Sequence, residues 1–121
     1  MRGIGIDAVE VERFRQALHR RPAMAERLFT EGERAYGSRW RDPAPRLAAR
    51  FAAKEAVMKA LGVGIGAFAF QDVEVVSEAS GRPTLVLRGE AEALAERLGV
   101  EGWRLSLTHT DSLAQAVAVA L

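Results

Sequence analysis

The chain has no cysteine, which removes disulfides, thiol nucleophiles and thiolate metal sites together. It has no strong charge of either sign: seventeen basic residues against sixteen acidic ones leave a formal +1. No global field therefore marks it for nucleic acid or an acidic membrane, and any electrostatic attraction must come from a local patch. No apolar run approaches the roughly 20 residues of a membrane span. The opening Met1-Arg2-Gly3-Ile4-Gly5-Ile6-Asp7 reaches a carboxylate too early for a signal peptide, so a cytoplasmic location is expected. Aromatics number only eight, five Phe, two Trp and one Tyr. They are scattered without basic-aromatic interleaving, which argues against an RNA-binding domain. Scarcest of all is lysine. Only Lys54 and Lys59 break a run of fifteen arginines.

That scarcity points to chemistry. An ammonium is a compact, mobile point charge that can give up a proton, whereas guanidinium is a fixed planar fork that stays charged. Both lysines fall in Lys54-Glu55-Ala56-Val57-Met58-Lys59, with a glutamate between them. At 121 residues the chain is long enough for one domain, 1–121, with a core that needs no disulfide or structural metal.

The order of elements follows from period and punctuation. Gly3 to Val9 reads as a buried strand, and Glu10 to His19 as a helix with Val11, Phe14 and Leu18 on one side. A second short helix spans Ala23 to Leu28, and Thr30 caps a third with Glu33 at capping-box spacing. Asp42-Pro43-Ala44-Pro45 reads as a loop. The strongest helix runs from Arg46 to about Leu61, built of good helix formers and stopped by Gly62 and Gly64. Asp72 to Ser77 and Thr84 to Leu87 form a hairpin about Gly81-Arg82-Pro83. Gly89 to Leu98 is a helix with Ala91, Leu94, Ala95 and Leu98 inward; Arg104 to Thr108 and Ala114 to Leu121 are final strands. The coarse order β-α-α-α-β-β-α-β-β predicts an α+β fold, a mostly antiparallel sheet with helices packed on it.

On the long helix, Leu47, Phe51, Met58 and Leu61 share an apolar stripe, flanked by Arg50 and Lys54 on one side and by Glu55 and Lys59 on the other. A Glu55–Lys59 pair at i,i+4 with snorkelling stems accounts for this pattern structurally. Asp7 is a carboxylate inside a buried strand, costly unless it is paired, bound to metal, or capping the next helix. Magnesium takes one or two carboxylates plus phosphate oxygens and water, so Asp7 with Glu55, bordered by cations, describes a magnesium-phosphate site. Arg39, Arg41, Arg46, Arg50, Lys54 and Lys59 make a patch suited to clustered phosphates, although a solvated helix face is the more common outcome for a charge run. Gly62-Val63-Gly64-Ile65-Gly66 lets backbone approach a ligand but lacks the lysine-hydroxyl ending of a P-loop. His109 stands at a strand end, as a functional or an ordinary turn histidine, and His19 reads as helix surface. No serine-histidine-acid pattern supports a hydrolase triad.

Three separated segments resemble one family. Gly3-Ile4-Gly5-Ile6-Asp7 with Glu10 and Arg13-Phe14 is similar to the opening motif of holo-acyl-carrier-protein synthases. Arg50-Phe51-Ala52-Ala53-Lys54-Glu55-Ala56 followed by Lys59-Ala60-Leu61-Gly62 resembles their central signature. Phe70-Gln71-Asp72-Val73-Glu74-Val75, Gly81-Arg82-Pro83 and Leu107-Thr108-His109-Thr110 continue the match in order. The resemblance implies a 4′-phosphopantetheinyl transferase-like fold and transfer of 4′-phosphopantetheine from coenzyme A to a serine of an apo acyl carrier protein, for fatty-acid or polyketide synthesis. It implies magnesium held by Asp7 and Glu55, with Lys59 acting on the leaving phosphate and Glu55 or a metal-bound water as base. By the same resemblance Arg50, Lys54, Gly64 and His109 bind coenzyme A, Arg13 faces an acidic helix of the carrier protein, and the chain forms a homotrimer with interfacial active sites. The sequence departs from the family at Ala8, at Val63, and in a short Gly66-Ala67-Phe68-Ala69 loop that carries no cation. The rival reading is a non-catalytic module binding nucleotide or coenzyme A phosphates through the basic helix, which would need neither Asp7 nor magnesium.

Overall fold

Alternation in Gly-Ile-Gly-Ile-Asp sends the glycines and Asp7 to one face of a strand and the isoleucines to the other. The computed structural model, which describes residues 1–121, forms that strand as β1 (Gly3–Glu10). It is followed by α1 (Val11–Arg20), α2 (Ala23–Leu28), α3 (Glu31–Gly37) and α4 (Ala44–Ala60). Then come a 3-10 turn at Phe70–Asp72, β2 (Val73–Ser77), β3 (Pro83–Leu87), α5 (Gly89–Arg97), β4 (Trp103–His109) and β5 (Leu113–Ala120). The architecture is α+β with antiparallel strands, as expected. The strands divide into a three-stranded sheet, β1-β5-β4, and a separate β2-β3 hairpin, rather than one sheet. Four helices separate β1 from β2, matching the four segments read individually and one more than the coarse order shows.

The expected capping box is present: Thr30 Oγ1 accepts from Glu33 N at 3.2 Å, and Glu33 Oε1 accepts from Thr30 N at 2.9 Å. Three local expectations change. Helix α4 begins at Ala44 rather than Arg46, because Pro45 falls in its first turn, where a missing N–H costs nothing. Leu98 is 45% exposed, since α5 ends at Arg97 and Leu98 lies beyond the buried Ala91 and Ala95. Asp7 caps no helix; it stays within β1, and α1 starts at Val11 behind Glu10.

The largest change concerns α4, which has no narrow apolar stripe. Ala48, Ala49, Ala52, Ala53, Ala56 and Val57 are all buried, together with Leu47 and Met58. The helix is enclosed on most sides, and alanine lets its neighbours come close. The tightest approach is to β1. A Cβ on Gly3 would lie 2.0 Å from the Ala60 carbonyl oxygen, and one on Gly5 1.9 Å from that of Ala56. Across the sheet Gly5 pairs with Ala118 and Gly3 with Ala120, both buried. No helix is long and apolar enough to cross a membrane.

Gly5→Ala forces helix and strand apart against rigid backbone rather than a movable side chain. We expect a loss of about 3 kcal/mol and a melting temperature lower by roughly 10 °C, measured by calorimetry. Unchanged melting would show that the contact is loose.

Candidate active site

Because Gly5 and Gly3 abut Ala56 and Ala60, the next inward residue of β1, Asp7, meets the flank of α4 that carries Glu55 and Lys59. Lys59 Nζ donates to Asp7 Oδ1 at 3.0 Å and to the Ile6 carbonyl at 2.9 Å. The ammonium is half exposed, whereas Asp7 is 13% exposed. Burial, then the neighbouring Asp7, pushes the Glu55 carboxyl above its ordinary value, with Lys59 opposing them. Asp7 and Glu55 line one hollow together with Glu10, Arg13, Arg20 and Phe51. Arg13 is exposed and lies 3.7 Å from Glu10. Two distant parts of the chain, β1 with Asp7 and α4 with Glu55 and Lys59, thus bring two carboxylates and an ammonium together beside a guanidinium.

Two hard-oxygen donors that repel one another across a partly desolvated gap fit a divalent cation. No group of three or more His, Cys, Asp or Glu is gathered anywhere, so substrate phosphate and water would complete the shell, the usual arrangement for magnesium.

Arg50 and His109 are brought together elsewhere, in a second hollow also lined by Tyr36, Arg46, Ser77 and Pro83. No carboxylate lines it. Arg50 and Glu55 are about 140° apart around α4, so the two hollows open on different sides of the helix. Arg50 is buried, donates from Nη2 to Ser77 Oγ at 3.1 Å, and leaves Nε without a partner. Its charge meets the face of Tyr36 at 3.7 Å. His109 is exposed at the end of β4.

Lys54 and Gly64 join neither hollow. Gly64 sits in the exposed loop after α4 with open space around it. Lys54 is fully buried: its Nζ donates to Glu33 Oε1 at 2.7 Å, the Phe70 carbonyl at 3.0 Å and the Val73 carbonyl at 2.6 Å. Burial pushes its pKa down and Glu33 opposes that. With all three donors used inside the fold, Lys54 has none to offer a phosphate. The expectation that it borders the stripe half-buried is corrected, and its retention as lysine has a structural cause. Sequence reasoning missed Tyr36, Ser77 and Arg20. The i,i+4 spacing of Arg46 with Arg50, and of Tyr36 with Trp40, was the available signal.

Residues 3–118 match the family model of the 4′-phosphopantetheinyl transferase superfamily. The chain is 50% identical over 118 residues to a holo-[acyl-carrier-protein] synthase of Streptomyces coelicolor, covering 98% of this chain and 95% of that one. Its fold superimposes with a TM-score of 0.90 on the crystal structure of a holo-[acyl-carrier-protein] synthase from Neisseria meningitidis, at 32% identity, covering 100% and 98% of the two chains. The Helicobacter pylori enzyme of that name, in complex with coenzyme A, gives a TM-score of 0.86 at 29% identity, covering 98% of this chain and 99% of that one.

The raised Glu55 carboxyl has a pH signature. The native chain holds that proton more readily than the unfolded chain, whose glutamate titrates near about 4.3. The ionised form therefore costs stability above the native value and nothing below the unfolded one. Without divalent ions, Glu55→Gln should melt higher than the parent at about pH 8, with the gain gone near about pH 4. A pH-independent difference in calorimetric melting would contradict the arrangement.

Proposed function

The chain belongs to the 4′-phosphopantetheinyl transferase superfamily, and on that premise we propose how its two hollows divide the work of one reaction. The enzyme transfers 4′-phosphopantetheine from coenzyme A to a serine of an apo acyl carrier protein. A bond forms between the serine oxygen and the phosphorus that carries pantetheine. The bond from that phosphorus to the adenosine bisphosphate breaks, and the serine proton must be taken up. Residues 1–121 act as one transferase domain, in the cytoplasm.

The observation that carries the reading is the Asp7–Lys59 contact beside Glu55. Asp7 and Glu55 would hold magnesium, which would supply neutralisation of phosphate charge. Lys59, held between Asp7 and the Ile6 carbonyl, would neutralise or protonate the departing phosphate oxygen. Glu55 is the chain's own acceptor for the serine proton. Arg13, exposed on the same rim, meets an acidic surface of the carrier protein and steers its approach, so association weakens with salt. Arg50 and His109 hold a phosphate of coenzyme A in the other hollow.

One coenzyme that uses both sides of α4 is best served by two chains, and we propose a homotrimer with interfacial active sites. Its support is the outer face of the three-stranded sheet, where Ile4 and Ile6 are 58% and 60% exposed. They lie opposite Val119 and Val117 of β5. Such a patch marks an assembly face.

Intact-mass spectrometry of an apo acyl carrier protein incubated with the chain, coenzyme A and magnesium tests the reading. One added phosphopantetheine is expected, lost on chelation and reduced at least about a hundredfold in rate by Lys59→Ala. No gain across fatty-acid and polyketide carriers would transfer the weight to a binding module. Ile6→Asp should convert the trimer to monomer in sedimentation and abolish transfer; a trimeric variant would place the interface elsewhere.

A further inference from the structure

The β2–β3 hairpin is tied firmly at one end only. At its open end Lys54 donates to the Val73 carbonyl at 2.6 Å, and Val75 N donates to Glu33 Oε2 at 2.9 Å. Thr30 Oγ1 and Arg88 Nη2 donate to Glu74 at 2.7 and 2.9 Å. From Val76 to Val86 a single hydrogen bond joins the hairpin to the rest of the chain, Arg50 Nη2 to Ser77 Oγ at 3.1 Å.

Backbone alternation shows what the free end lacks. Arg88 N donates to the Asp72 carbonyl and Glu78 N to that of Arg82. With the register of the hairpin, these bonds turn the N–H and C=O groups of Val73 and Val75 away from β3. Lys54 and Glu33 take two of them. The same alternation turns the backbone groups of Leu85 and Leu87 out of the opposite edge, toward β4, which runs beside it. On β4, the bonds from Thr110 N to Leu113 O and from Leu121 N to Gly102 O leave Trp103, Leu105 and Leu107 presenting theirs to the hairpin. The two edges nevertheless belong to separate sheets. A groove of about 310 Å³ lies between them, lined in part by Pro83, Leu85, Trp103 and Leu105. Pro83 and Leu105 also line the Arg50 hollow, so one cleft runs along the gap. Facing donors and acceptors left unpaired beside a shared core forgo bonds they could make.

We propose that the β2–β3 hairpin is a flap, hinged at the Glu33–Lys54 tie and latched by Ser77 on Arg50. It closes β3 onto β4 when an anion takes Arg50 from Ser77. The proposal rests on the transferase reading above, in which that anion is a phosphate of coenzyme A. Arg50 is buried and its Nη2 is already held by Ser77, so an arriving phosphate must displace the hydroxyl. Glu78, at the hairpin tip, lines an adjoining hollow with Arg50, and the incoming charge repels it. Once released, the hairpin gains backbone pairing with β4 in place of one side-chain bond, and the three-stranded sheet and the hairpin become one.

Hydrogen exchange of the full chain, with and without coenzyme A, tests the flap. Leu85, Leu87 and Trp103 lie outside the lining of the Arg50 hollow, so their amides read closure rather than direct cover by the ligand. Saturating coenzyme A should slow exchange at all three about tenfold. Ser77→Ala removes the latch: the same amides should slow without any ligand. Calorimetric titration should then show coenzyme A binding about fivefold tighter, because no hydroxyl has to be displaced. Exchange unchanged by bound coenzyme A would overturn the flap. So would weaker binding to the Ser77→Ala chain, which would make Ser77 an ordinary contact of the ligand. The two readings fail separately. Absent coenzyme A binding sinks the transferase, whereas unslowed exchange in the ligand-free Ser77→Ala chain sinks the latch whatever the ligand.

Discussion

The contact between β1 and α4 sets the rest of the structure. Two glycines on one face of the strand let it lie directly against the carbonyls of Ala56 and Ala60, closer than any side chain allows. Since side chains alternate along a strand, that contact decides what every other position of β1 does. Asp7 follows Gly3 and Gly5 on the inner face and is delivered to Lys59 at 3.0 Å. Ile4 and Ile6 fall on the outer face and are left in solvent. Glu55 and Lys59 each precede one of the contacted alanines on α4, so the helix turns both toward the edge where Asp7 emerges. The candidate site and the exposed isoleucine face are two consequences of one packing constraint.

A second constraint fixes the opposite side of the helix. Lys54 carries three N–H donors, and the fold gives it one carboxylate and two carbonyls, from α3, the 3-10 turn and β2. Glu33 is filled as completely: it accepts from the Thr30 and Val75 backbone N–H groups as well as from Lys54. A buried pair satisfied to this degree ties the hairpin to α4, while removal of either partner strands a charge at a cost of about 3–5 kcal/mol. Arginine could not replace this lysine, because a planar fork presents its donors in one plane. The two lysines of the chain are thus retained for different reasons. Lys59 is a half-exposed cation at the site, and Lys54 is a three-way buried tie.

What was legible in the sequence was local. The capping box at Thr30 and Glu33, the hairpin about Gly81 and the strand at Gly3 follow from spacings of a few residues. The grouping of Asp7 with Glu55 was reached from chemistry, because a carboxylate in a buried strand demands a partner. What escaped was long-range or non-periodic. Glu33 reaches Lys54 across 21 positions, and nothing in either segment names the other. Tyr36 looks like any helix aromatic until α4 lays Arg50 across it. The long helix hid its orientation because it is buried on most sides; alanines supply no amphipathic contrast, and a stripe drawn from its larger residues was bound to mislead. Pro45 was read as a break where it begins a helix, since proline forbids only the positions that need its N–H.

Near-zero net charge conceals a sharp division of sign. The Arg50 hollow holds guanidinium groups and a histidine with no acid in its lining; the Asp7 hollow holds three carboxylates, Asp7, Glu10 and Glu55, alongside Arg13 and Arg20. A naked anion is attracted to the first and repelled by the carboxylates of the second unless a cation accompanies it. Coenzyme A carries phosphates at two separate points, so it can present one to each kind of environment. On the proposed reading, the orientation of the substrate is therefore set by electrostatics before any catalytic group acts. Because α4 separates the two environments within a chain, the same proposed reading would make an interface between chains part of the active site.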